Sequence, residues 1–181
     1  LHAGTYTITV QGEKDTQYAN SQVQVPYVIT PAELTKVTLK EEARPYKGTP
    51  YADEIAKVEA RKLTVPTGGY TALYSGNLNV GTADLVVAGT GDYTGALTTQ
   101  FEITAAAAGS LTAAWDKVPS LTYDGQPHRP VPSVTSGGSA LTENLDYILT
   151  YPDDVTAAGT KTVTVTGKGN YAGTVTGSFA I

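Results

Sequence analysis

"GTGDYTGA" occupies residues 89–96, and "GKGNYAGT" occupies residues 167–174. Both read Gly-x-Gly-(Asp/Asn)-Tyr-x-Gly. A glycine-rich phrase invites a phosphate-loop reading, but a phosphate loop needs a helix whose N-terminus faces the anion. The next residues are instead Leu97-x-Thr99-x-Phe101-x-Ile103 in one copy and Val175-x-Gly177-x-Phe179-x-Ile181 in the other. That is the two-residue period of a strand. The segments before the phrase alternate as well: Leu85/Val87 in one copy, Val163/Val165 in the other. No Lys-Ser/Thr pair closes the motif. The glycines, with Asp92 or Asn170, suit a turn, so the phrase is read as a hairpin connection.

The two phrases belong to a longer correspondence. Leu34-Thr35 returns as Leu111-Thr112, and Tyr46-x-Gly48-x-Pro50 as Tyr123-x-Gly125-x-Pro127, each 77 residues on. Tyr70 and Tyr74 return as Tyr147 and Tyr151 at the same offset. After one inserted residue, Gly81-Thr82, Tyr93, Phe101 and Ile103 return as Gly159-Thr160, Tyr171, Phe179 and Ile181. The first residues hold a third, partial copy. Gly4-Thr5 to Gly12 matches Gly81-Thr82 to Gly89, and Tyr27-x-Ile29-Thr30 matches Phe101-x-Ile103-Thr104, with a connection three residues longer. This duplication predicts a partial module over 1–30, a full module over 31–104, a linker over 105–110 and a full module over 111–181.

The expected fold class is all-β, built of small tandem sandwiches. Thr, Val and Tyr are plentiful, with 12 Tyr, 19 Gly and 10 Pro to supply strands and turns. One segment is ambiguous. Residues 53–63 are rich in helix formers, yet Ala56/Val58/Ala60 alternate against Lys57/Glu59/Arg61. The counterpart Pro130-Val131-Pro132 cannot be a helix interior, so a strand is expected, with a helical turn as the alternative. Residues 1–30 lack the opening half of a module. A lone hairpin cannot bury its apolar face. Ile8, Val10, Val23, Val25 and Tyr27 are therefore expected to pack on 31–104 or on another copy of the chain. A permuted unit, completed by strands from 31 onward, is the alternative.

The formal net charge of -5 disfavours a partner with a phosphate backbone, so no nucleic acid is expected. There is no cysteine, which excludes disulfides and thiol chemistry. No stretch reaches the roughly 18 apolar residues of a membrane helix, so no insertion within this segment is expected. The chain begins mid-pattern, has no Met and shows no signal peptide; it reads as a piece of a longer protein.

The residues assemble into "LTYDGQPHRPVPSVT…LDYILTYPDDVTAAGTKTVTVTGKGNYAGTVTGSFAI". With Tyr123-Asp124-Gly125, Asp146-Tyr147, Ala158-Gly159-Thr160, Gly169-Asn170-Tyr171 and Phe179-x-Ile181, this resembles the Ig-like repeats, including the YDG and MBG families, of large bacterial surface proteins. The resemblance covers nearly all of 111–181. It is weaker over 34–103, where Tyr46-Lys47-Gly48 and Gly69-Tyr70 depart from it, so Asp124 and Asp146 are not an obligatory pair. It implies Ig-like β-modules at the cell surface or outside the cell, serving as a spacer or as adhesive units. Their partners would be neighbouring repeats and a host glycan or protein. It carries over no catalytic residue.

Chemistry is sparse. His2 and His128 are the only imidazoles, too few for a His-rich metal site or a convincing triad. No enzyme activity and no cofactor are expected. Asp153-Asp154 is a turn in preference to one edge of a calcium loop. Lys117 and Asn170 are conceivable isopeptide partners. Trp115 is the candidate ligand contact. It shares a face with Leu111 and Ala113, so core packing is the preferred role and stacking on a sugar ring the alternative.

Overall fold

The computed structural model describes residues 1–14, 16–116, 118 and 120–181. Those residues form an all-β protein. Its first ten strands are β1 Gly4–Gln11, β2 Gln22–Ile29, β3 Ala32–Leu39, β4 Ala43–Pro45, β5 Ile55–Ala60, β6 Leu63–Thr64, β7 Tyr70–Ser75, β8 Gly81–Gly89, β9 Tyr93–Thr94 and β10 Ala96–Thr104. A 3-10 turn at Ala108–Ser110 leads to β11 Leu111–Ala114, β12 Ser133–Ser136, β13 Ser139–Ala140, β14 Tyr147–Thr150, β15 Thr160–Gly167 and β16 Thr174–Ala180. The chain divides into two compact units. One holds Leu1–Glu42, Ala52–Ser75 and Asp84–Phe101; the other holds Ala43–Tyr51, Gly76–Ala83 and Glu102–Ile181.

In the first unit, β6, β5, β3 and β9 form one sheet, and β7 pairs with β8 in another. The two inner faces meet in a sandwich-like core. Leu34, Val58, Ala60 and Val65 come from one side, Leu85 and Val87 from the other, and all six are buried. The alternation of β8 puts these residues inward and Asp84, Val86 and Ala88 half out. Tyr74 meets Phe101 edge to face, with ring centroids 6.5 Å apart.

Residues 55–60 are a strand despite their helix formers. Val58 and Ala60 are buried while Ala56 is exposed. The strand pairs with β3 from Ala60↔Leu34 to Ile55↔Leu39, with two register slips. Tertiary burial overrides the weak local preference. The turn beyond it is strained. Arg61 and Lys62 adopt φ of +48° and +69°, the left-handed region that disfavours side chains. In the second unit, Gly137 and Gly138 make the corresponding two-residue turn between β12 and β13, with φ of +55° and +83°. Replacing Arg61-Lys62 by Asn-Gly should therefore raise stability by about 1 kcal/mol. Urea unfolding checks this; an unchanged or lower midpoint would contradict it.

In the second unit, β11–β12–β13 and β14–β15–β16 form two sheets. Val134, Tyr147 and Val165 are buried between them, with Ala113, Leu141, Leu149 and Val175 packed alongside. The last residues of β10 pair with β4 in parallel, Ile103 opposite Arg44.

The segment 1–30 departs from one of its two expected placements, packing on 31–104. β1 and β2 form a two-stranded sheet of their own, which no later strand among the described residues joins. Tyr6, Ile8 and Val10 stand opposite Tyr27, Val25 and Val23. Ile8, Val10, Val23 and Val25 are 52%, 56%, 60% and 48% exposed. The strands of 31–104 neither cover this face nor complete its sheet, because their own apolar faces are already spent on each other.

Candidate functional site

The Gly-x-Gly-(Asp/Asn)-Tyr-x-Gly phrase makes contacts distant in sequence as well as a turn. Its glycines have separate tasks. A Cβ at Gly89 or Gly167 would run into the backbone of Tyr93–Thr94 or of Tyr171. Gly91 and Gly169 lie at φ of +63° and +64°, and Gly95 and Gly173 at +85° and +93°. The hydrogen bonds match pairwise. Gly89 N donates to Gly95 O and Gly167 N to Gly173 O; Tyr93 N donates to Thr90 O and Tyr171 N to Lys168 O.

The acid or amide of the phrase points away from its own turn. In the first unit, Asp92 accepts hydrogen bonds from Ala3 N and from the His2 ring through its two carboxylate oxygens. Its carbonyl accepts Ala32 N at 2.8 Å, in register with the parallel pairing of Ala32 and Tyr93. In the second unit, Asn170 Oδ1 accepts Val80 N at 2.9 Å, and its Nδ2 donates to Asn79 Oδ1 at 3.0 Å. Its carbonyl accepts Ala106 N at 2.9 Å, and Ala106 pairs in parallel with Tyr171. His2-Ala3 and Asn79-Val80 each immediately precede a Gly-Thr that opens a strand. The same clasp is thus built twice: a turn side chain seizes the backbone N–H at the head of an earlier strand, and the turn carbonyl accepts the N–H of a residue paired in parallel with the turn Tyr. Tyr171 adds a ring contact to Tyr46, edge to face at 5.5 Å. Tyr123, which the alignment matches to Tyr46, is 61% exposed.

The two clasps differ in charge. The His2 hydrogen bond, and then the Ala3 N–H, hold the Asp92 carboxyl below its usual range. A carboxylate with a depressed folded-state pKa contributes stability that is complete above its ordinary value near 4 and is lost as pH falls through the depressed value. Asn170 does not titrate. Amide exchange should therefore show Ala3 losing protection on acidification toward pH 2, after correction for intrinsic rates, while Val80 keeps it. Parallel loss at both amides would contradict this assignment.

The other candidate residues are engaged locally. Asp124 Oδ1 accepts Gln126 N at 2.8 Å and lies 3.0 Å from His128 Nε2. These contacts, Gln126 N first, lower its pKa. At the matching positions, Lys47 Nζ sits 3.9 Å over the Tyr51 ring. Gly48 and Gly125 share φ of +77° and +74°. One loop geometry is thus closed by a carboxylate–imidazole hydrogen bond in one copy and a cation–π contact in the other. Asp146 Oδ2 accepts Thr142 N instead of meeting Asp124. Asp154 caps its own turn: Oδ1 accepts Ala157 N and Thr156 N, and Oδ2 accepts Lys161 Nζ at 2.9 Å. Those donors, the backbone pair foremost, pull its carboxyl far below the usual range. Lys117, the crosslink partner considered for Asn170, lies outside the described residues.

Trp115 is half-buried. Its ring stacks on Phe179 at 6.3 Å with 20° between planes, and it lies over Gly177, where a Cβ would overlap the indole. Its Nε1 is buried without a hydrogen-bond partner. One side of the ring borders a shallow cavity of about 270 Å³ shared with Val118, Leu121, Ser178 and Ile181. A signal for this packing was present in the alignment. Trp115 and Gly177 stand where the other copy has Thr38 and Thr99, so the large ring and the missing side chain arrive together. The clasps had no comparable local signal, because Asp92 and Asn170 reach partners about 90 residues away. No family model matches the chain, and no curated protein matches it.

Proposed function

We propose that this chain is a non-catalytic spacer segment of a bacterial surface or secreted protein, made of tandem Ig-like β-modules. The observation that carries this reading is the clasp built twice. A turn that is repeated between the copies of a duplicated module, and spent each time on the strand head of the preceding copy, serves succession of modules. A phrase that served a small ligand would instead leave its polar groups open. His128 and Asp124 close a loop, and Asp154 caps another, which removes the titratable groups most suited to chemistry.

Stretching the chain between its ends should show two unfolding events, one for each full module. Each should release about 70 residues, roughly 25 nm of chain at 3.4–3.6 Å per residue. A single event, or a gradual extension without steps, would sink the modular reading.

A second reading, a carbohydrate- or protein-binding module, draws on the unpartnered Trp115 Nε1 beside its cavity. A host glycan would stack on the side of the indole that borders the cavity; Nε1, buried against Gly177, would donate only after the strand shifts. A glycan array is expected to give no specific hit under the spacer reading. A hit retained by Lys47→Ala and abolished by Trp115→Phe would favour binding, since Phe keeps the ring packing and removes only the donor.

A further inference from the structure

In both full modules, the strand pair that carries the glycine phrase is covered. Leu85, Val87, Phe101 and Ile103 are buried on β8 and β10, as are Val163, Val165 and Phe179 on β15 and β16. The cover comes from strands that precede the pair in the chain: β3 and β5 over β8 in one case, β11 and β12 against the other. The β1–β2 hairpin is the same strand pair by alignment. Ile8 and Val10 stand at the positions of Leu85 and Val87, and Tyr27 at that of Phe101. Its opposite face is mostly polar, with Thr5, Thr7, Thr9, Gln22 and Gln24; Pro26 and the exposed Val28 are its apolar members. The Tyr6/Ile8/Val10–Val23/Val25/Tyr27 face is therefore a contiguous apolar surface that no strand among the described residues covers.

Resting on the tandem-module reading, we propose that this face is a docking surface for the opening half of a module, a β-segment patterned like residues 31–77. The chemistry required is that of Leu34, Val37, Val58 and Ala60: strands with one apolar face, laid across the hairpin. A second copy of the chain is the poorer occupant. Eight residues per strand at ~3.4 Å, across two strands, offer a face of only about 270 Å². Two such faces pressed together fall well short of the roughly 1,200 Å² that a stable interface buries. A segment on the same chain escapes that limit, because its effective concentration replaces interface area. The register supports this connection: Leu78 and Asn79 occupy the positions of Leu1 and His2, so a copy of 31–77 placed ahead of Leu1 restores the spacing of a full module.

The test compares the 181-residue chain with a chain carrying that added copy, by amide exchange at β1 and β2. The added segment should slow exchange at Val10 and Val25 by about a hundredfold or more, as burial of an apolar face converts local fraying into module unfolding. Val10→Asp in the longer chain should abolish the gain, while leaving exchange at Val87 and Val165 unchanged. Unaltered exchange at β1 and β2, with the added copy unstructured, overturns the proposal. So does protection of the 181-residue chain that grows with its concentration, accompanied in sedimentation by a dimer that Val10→Asp removes. Neither outcome depends on how 31–104 and 111–181 unfold under force, so failure here is distinct from failure of the modular reading.

Discussion

Phe179→Ala should cost about 3–4 kcal/mol and lower the midpoint of unfolding read at Trp115 by roughly 15 °C. Phe179 lies on β16 opposite Lys161, is buried, and stacks on Trp115. Truncation removes a ring from between β15, β16 and the end of β11, and the surrounding strands cannot close the gap without breaking their ladders. The lost transfer energy and the residual cavity add, and Trp115 loses its stacking partner as well. Chemical unfolding monitored by Trp115 fluorescence reads the loss directly, since it is the sole indole. A cost below about 1 kcal/mol would mean that the ring does not lie in the core.

Gly177→Thr should cost about 2–3 kcal/mol by itself and much less beside Trp115→Thr. A Cβ at Gly177 overlaps the indole, and an overfilled site of this kind forces rings off their rotamers or shifts a strand. Gly177 sits in the ladder opposite Val163, so the strand cannot retreat freely. The other copy shows the compatible alternative: Thr38 and Thr99 line one shallow depression together. In a double-mutant cycle the coupling should be about 2 kcal/mol, with the double variant more stable than the sum of the singles predicts. Additive losses would mean that the two positions do not share a site.

The β-character of the chain was legible because it rests on local periodicity. Leu85/Val87 and Val163/Val165 alternate whatever surrounds them, and the glycines of the phrase are demanded by their own backbone. Ile55–Ala60 was harder, since its composition and its alternation disagree; burial of Val58 and Ala60 decided the matter. The cover of β1 and β2 was not legible. Alternation marks Ile8, Val10, Val23 and Val25 as one apolar face, but says nothing of what lies over it. The clasps were hidden for a related reason. Asp92 and Asn170 read as turn residues, which they are, and their second task depends on partners brought close only by the fold. Trp115 falls between these cases: the paired change from Thr38/Thr99 to Trp115/Gly177 carries the packing, provided the two positions are read together.

Whether the glycine phrase fastens one module to the preceding one can be read from amide exchange at Val80 in the Asn170→Ala variant. Asn170 Oδ1 is the acceptor for Val80 N, and the substitution removes it without touching the turn glycines. Val80 should exchange at least about tenfold faster, the equivalent of one lost hydrogen bond, while Val163 and Val165 in β15 keep their protection. Unchanged exchange at Val80, or loss of protection spread evenly through β15, would show that the phrase is a turn and not a fastening.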